Sequence, residues 1–165
     1  MIGDLFLLED FLGDTVSEEL DRYILSLEEF LRQLKLDRVQ SIHQSKTDGV
    51  HRLIVKDEWG DSLNVESWND ELTIEFSESH WHISQSDDLD SMKLEYTLDV
   101  LRTLRGEVTT YSAWKSGRAL GGGCCFDDSC LQRCRKSFPT AEEVRVKSFG
   151  NEREVHALDP NGSPN

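Results

Sequence analysis

The sequence predicts an α+β domain, an antiparallel sheet with helices packed mainly on one face. Three observations carry this. A long helical repeat comes early, several short period-two runs follow with only short turns between them, and a second helical repeat precedes another alternating run. Strands joined by short turns pair antiparallel, and flanking helices then cover the sheet's apolar side. At 165 residues the chain suits one domain with a real core. Residues 1–158 are read as that domain and 159–165, with two prolines and a glycine, as a frayed tail.

Residues 4–12 (Leu5, Phe6, Leu7, Leu8, Phe11, Leu12) are expected to form a short helix beside the first long one. That long helix is expected over residues 16–36. Thr15 with Glu18 fits a capping box, and Val16, Leu20, Tyr23, Ile24, Leu27, Leu31 and Leu34 recur at three- and four-residue steps. Such a stripe needs a sheet or helix to cover it. Residues 39–44 and 50–56 read as strands around a polar turn at 45–49.

The next pair has a defined register. With Asn69-Asp70 as a two-residue hairpin turn, Trp68 faces Glu71, Ser67 faces Leu72, Val65 faces Ile74 and Leu63 faces Phe76. One face is then Leu63, Val65, Leu72, Ile74 and Phe76; the other is Asn64, Glu66, Trp68, Glu71, Thr73 and Glu75. The two strands agree on which side is buried, as period-two packing requires. A strand over 80–84 follows. A second helix, capped by Asp87-Asp88 or Ser91, runs to about Arg105 with Leu94, Leu98, Leu101 and Leu104 on one side, and Gly106 ends it. Residues 107–115 alternate as a strand that Gly117 breaks. Gly121-Gly122-Gly123 reads as a hairpin or flexible turn, 128–137 as a short helix and 144–149 as a last strand.

Charge narrows the function classes. The formal net charge is −14, which disfavours direct contact with phosphate backbones and favours cationic proteins. Acidity of this size also keeps a chain soluble whatever its partners. The charge is segregated: from Asp57 to Asp90 there are eleven acids and no Lys or Arg, whereas residues 101–136 carry seven bases against three acids. No run approaches the roughly 18 apolar residues of a membrane span. The opening residues have no basic stretch typical of a secretory signal, so a cytoplasmic location is expected.

Catalytic motifs are weak. Gly121-Gly122-Gly123 lacks the Gly-Lys-Ser/Thr ending of a phosphate loop, and no nucleophile elbow or His-Glu-x-x-His is present. Cys124, Cys125, Cys130 and Cys134 fall within eleven residues, but adjacent cysteines chelate one zinc poorly. Free, mostly buried thiols are the expectation. A structural zinc site is one alternative; a redox or catalytic thiol, lowered in pKa by Arg133, Arg135 or Lys136, is another. His80-Trp81-His82 puts two imidazoles on one side of a strand, and Glu75 or Glu78 lie near in sequence. They are read as polar strand positions or partner contacts, with no metal or cofactor expected. His43, His51 and His156 have no ligand spacing.

The candidate binding residues are Asp57, Glu58, Trp59, Asp61, Glu66, Trp68, Glu71, Glu75 and Glu78, which mix carboxylates with two tryptophans. Tryptophan is an interface anchor, and carboxylates pair with Arg and Lys of a partner. The other reading has Trp59 and Trp68 folding back over the core.

Over residues 50–120 the chain resembles small bacterial proteins found beside polymorphic toxins. The resemblance rests on Asp70-Glu-Leu-Thr-Ile-Glu-Phe, on His80-Trp-His82, on a helix ending Leu101-Arg-Thr-Leu-Arg-Gly106-Glu107, and on a strand reaching Gly117. Many such proteins are immunity proteins, including those of contact-dependent growth-inhibition systems. The resemblance implies a cytoplasmic, non-enzymatic inhibitor that binds a cognate toxin domain and blocks its active site or substrate groove. Nuclease toxins are commonly basic, which suits an acidic inhibitor.

Overall fold

The computed structural model describes residues 15–68, 71–82, 88–127 and 129–158. The expected helix over 4–12, the Asn69-Asp70 turn and the tail at 159–165 lie outside them. In chain order the elements are α1 (Val16–Leu34), β1 (Ser41–Thr47), β2 (Val50–Lys56), β3 (Ser62–Trp68), β4 (Glu71–Phe76), β5 (Ser79–His82), α2 (Leu89–Leu104), β6 (Thr109–Lys115), β7 (Arg118–Cys125), α3 (Cys130–Ser137), β8 (Glu143–Ser148) and β9 (Glu154–Ala157). The class is α+β. The strands form two antiparallel sheets, ordered β1-β2-β3-β4-β5 and β7-β6-β8-β9, where the sequence suggested one.

α1 begins at the expected capping box. Glu18 N donates to Thr15 Oγ1 (3.3 Å) while Thr15 N donates to Glu18 Oε2 (3.0 Å). Its stripe of Leu20, Ile24, Leu27 and Leu31 is buried across β2, β3 and β4, and Val16 and Leu34 at the ends stay partly exposed. β1 and β2 are joined by Asp48-Gly49, both at positive φ (53° and 79°), a tighter hairpin than the five-residue turn expected. The β3–β4 register is the expected one, Leu63↔Phe76 through Trp68↔Glu71. Leu63, Val65, Leu72, Ile74 and Phe76 are fully buried beneath the helices.

α2 differs from its expected orientation. Met92, Tyr96, Val100 and Leu104 enter the core, Leu101 packs at its margin, and Leu94 and Leu98 face solvent. Both stripes have helical spacing, so periodicity alone does not choose between them. Two polar ties set the rotation: Trp81 Nε1 donates to Asp99 Oδ2 (3.3 Å), and the Tyr23 and Thr97 hydroxyls share a hydrogen bond (3.0 Å).

The second sheet overturns the glycine reading. Gly121, Gly122 and Gly123 lie inside β7, paired with Ala113, Ser112 and Tyr111, and the hairpin turn is Ser116-Gly117, both at positive φ. A Cβ on Gly122 would sit 2.4 Å from the Tyr111 carbonyl oxygen, and one on Gly121 2.6 Å from the Phe138 ring. The glycines are there because neighbouring chain and ring approach closely. β9, unforeseen in the sequence, adds a short edge strand to β8.

The two sheets meet through Phe76 and Phe149 (centroids 5.8 Å apart) and through Ser79 Oγ, which donates to the Gly123 carbonyl (3.0 Å). Among the described residues no helix is long and apolar enough to cross a membrane.

Candidate interaction surface

With α1 and α2 on its inner side, the five-stranded sheet turns its outer side to solvent. Two cross-strand rows build that side: His43–Ile54–Asn64–Glu75–His80 and Ser45–Arg52–Glu66–Thr73–His82. Trp68 and Glu71 pair at the end beside the second row. Every one of these side chains is exposed or half-exposed. Trp68 is 58% exposed and Trp59 54%, so neither indole folds back over the core.

The carboxylates on this face are not equivalent. Glu66 is held by the Arg52 guanidinium. That hydrogen bond, with the charges of Glu66 and Glu75, raises the Arg52 pKa against the effect of partial burial. Glu75 accepts from Asn64 Nδ2 (3.0 Å) and stays exposed, as does Glu71. The face is therefore mixed in charge, with Glu71 beside Trp68 and Glu75 four residues further along β4 as its accessible acids.

Asp57 is not a surface residue. It is fully buried; its Oδ1 accepts from the backbone N–H of Trp59 (3.0 Å) and Asp61 (2.9 Å), and its Oδ2 from Gly150 N (2.9 Å). Buried Lys147 lies 3.9 Å from Asp57 Oδ2 and 2.6 Å from Asp61 Oδ2, and also donates to the Asn151 carbonyl. Three backbone donors and an ammonium consume these acids, so Asp57 and Asp61 tie the β2–β3 turn to the second sheet. A buried carboxylate needs such partners, and that demand drew Asp57 inward.

The nine candidates also do not form one patch. Glu66, Trp68, Glu71 and Glu75 share the outer face. Glu58 and Trp59 occupy the β2–β3 turn at the end of β3 opposite Trp68, about 20 Å from it by strand rise. Glu78, in the β4–β5 turn, lies at that same end, 3.5 Å from Arg153 Nη1.

The cysteines are free; Cys125, Cys130 and Cys134 are buried and Cys124 half-buried. With Tyr111, Ala113, Ala141, Val144 and Leu158 they make the core of the second sheet. Burial pushes the Cys124 thiol up, and also Cys134 despite nearby Arg135. Cys130 is pushed well up by burial and by its contact with Cys125, and its Sγ donates to the Thr109 carbonyl (3.3 Å). The thiolate-lowering role considered for the α3 bases fails for these three. Burial outweighs Arg135 at Cys134, and Arg133 is engaged by Ser129 Oγ (2.8 Å) and Asp127 Oδ2 (3.3 Å). Among the described residues no three His, Cys, Asp or Glu side chains are grouped to hold a metal.

The sequence reading missed a polar cluster under the Trp68 end of the sheet. Asp21 on α1 accepts from Ser67 Oγ (2.8 Å) and Lys46 Nζ (2.5 Å) and lies 3.4 Å from His51 Nδ1. Burial alone would raise the Asp21 pKa, but the Lys46 and Ser67 hydrogen bonds outweigh it and hold the carboxyl below its ordinary value. The signal was available: His51 and Ser67 sit at inward-facing positions of strands whose other inward residues are aliphatic.

Compared with family models, curated proteins and solved structures, the chain matches none of them.

Proposed function

We propose that this protein is a cytoplasmic immunity protein that binds and neutralises a cognate, basic, nuclease-like toxin domain, with the outer face around Trp68, Glu71 and Glu75 as its contact surface. One observation carries the reading: an indole more than half exposed, on a sheet face that no described element covers, paired across the strands with the accessible Glu71, with Glu75 exposed further along the same face. Covering an exposed indole removes a large apolar area from water, and aromatic side chains of this kind are enriched among interface anchors. The net charge of −14 would speed encounter with a cationic domain. The resemblance over residues 50–120 points the same way.

The size of the face adds a constraint. Five strands of four to seven residues, at about 4.8 Å spacing and about 3.3 Å rise, present roughly 500 Å². A specific interface covers about 800 Å² per partner. A toxin domain seated on the sheet therefore extends past one end, and the β2–β3 turn with Glu58 and Trp59 offers a second aromatic contact there. No catalytic role is assigned. Burial raises the Cys124, Cys130 and Cys134 thiols, which works against their use as thiolate nucleophiles.

The test is co-purification of the tagged full chain with the toxin domain encoded beside it. A one-to-one complex that weakens with salt is expected, with Trp68→Ala costing about 2 kcal/mol or more in affinity and Glu71→Lys with Glu75→Lys slowing association. A complex indifferent to all three changes would remove this surface from the proposal.

A further inference from the structure

In the His80-Trp81-His82 motif only Trp81 serves the core, and the geometry of the two histidines goes beyond the binding role above. Trp81 points inward and is tied to Asp99 on α2, so strand alternation sends both imidazoles to the outer side of β5. Their ring centroids are 5.4 Å apart and the planes meet at 78°, edge to face. Two imidazoles bonded to one tetrahedral ion at about 2.1 Å bring their centroids roughly 5 Å apart. The observed separation is close to that requirement.

A second, independent feature concerns orientation. His82 Nδ1 is 2.9 Å from Thr73 Oγ1, its cross-strand neighbour. When the hydroxyl accepts from Nδ1–H, the ring is held in place and Nε2 carries the free lone pair. That is the outer-shell arrangement common to metal-binding histidines. Both rings are exposed, so an ion enters and leaves without local opening.

We propose that His80 and His82 form a two-nitrogen clamp for a borderline divalent transition-metal ion, Zn²⁺, Ni²⁺ or Cu²⁺, at the exposed edge of the five-stranded sheet. Imidazole pairs suit these ions and not Mg²⁺ or Ca²⁺, which take oxygen donors. The described residues contain no third protein ligand grouped with the pair. In this clamp the two imidazoles supply two of the ion's positions, and the remaining ones are open to water. Glu75, the cross-strand partner of His80 on the same face, adds negative charge nearby while its own hydrogen bond goes to Asn64.

The experiment uses the full chain in a neutral, non-chelating buffer, titrated with NiCl₂ and ZnCl₂ by calorimetry and by imidazole NMR. One ion per chain is expected, with ring shifts at His80 and His82 and none at His43. His80→Asn and His82→Asn should each weaken binding at least tenfold, and Thr73→Val, which only releases the ring, by about tenfold. Cys124→Ser should leave binding unchanged, and CaCl₂ should produce no ring shift. The clamp is overturned if the two rings do not respond in the unaltered protein at millimolar ion. It is equally overturned if binding survives His80→Asn but is lost in Cys124→Ser, which would place the ion on the thiols. Toxin binding enters none of these readouts, so failure of the clamp leaves the proposed function standing and the reverse also holds.

Discussion

The five-stranded sheet buries Leu53, Val55, Leu63, Val65, Leu72, Ile74 and Phe76 against the leucine stripe of α1, whereas the four-stranded sheet closes one short helix over Ala113, Ala141, Val144 and three cysteines. Large aliphatic side chains remove much apolar area from water, at about 25 cal/mol per Å². Small ones remove less, so the second sheet relies on close backbone approach through its glycines and on its ties to the first. Those ties are the Phe76–Phe149 contact, the Ser79–Gly123 hydrogen bond and the polar joint of Asp57 with Gly150 and Lys147. The comparison places most of the stability in one half and makes the other half dependent on the joint.

The sharpest way to break that dependence is Asp57→Ala. It strips three backbone N–H groups of their acceptor at once and removes one of the two carboxylates beside Lys147. A loss of about 3–5 kcal/mol in urea unfolding is expected; a loss under about 1 kcal/mol would show that the sheets hold together without it. Gly122→Ala attacks the second sheet alone, because the added methyl meets the Tyr111 carbonyl oxygen at 2.4 Å. Its expected cost is about 1–3 kcal/mol, with hydrogen exchange accelerating in β6 and β7 before β2 and β3.

Tyr23 probes the helix-covered half. Burial, only partly offset by the Thr97 hydrogen bond, pushes its phenol up to about 12 from 10.0. A folded-state pKa above the unfolded one stabilises fully below the unfolded value and is lost as pH rises through the folded value. Stability should therefore fall between about pH 10 and 12, by on the order of 2 kcal/mol, with tyrosinate absorbance rising in step. Tyr23→Phe should flatten that alkaline limb. The smallest stability effect belongs to Trp68→Ala, expected within about 0.5 kcal/mol because the indole packs mainly against solvent. A change of more than about 2 kcal/mol there would make Trp68 a structural residue and weaken its assignment as an anchor.

What could be read in advance follows the same division. α1, its capping box and the β3–β4 register were legible because each rests on local chemistry: a side chain capping the helix's first turn, or period-two alternation agreeing across a short hairpin. The second sheet was less legible because small residues and cysteines carry little periodic signal, and a run of glycines reads as a turn when nothing local shows Tyr111 and Phe138 pressing on it. The outward placement of Trp68, Glu71 and Glu75 was legible from alternation alone. Asp57 was not, since Gly150 and Lys147, which draw it inside, lie about ninety residues along the chain.

By itself, then, the sequence determined the α+β class, the first helix, the inner and outer faces of the β3–β4 hairpin and the acidity of the molecule. Each follows from residue order over a few turns or strands. Only the tertiary structure decided that the strands divide into two sheets, that α2 turns Met92 and Tyr96 inward while Leu94 and Leu98 face solvent, and which carboxylates remain accessible. Those outcomes depend on partners distant in sequence, whose competing hydrogen bonds and packing no local pattern encodes.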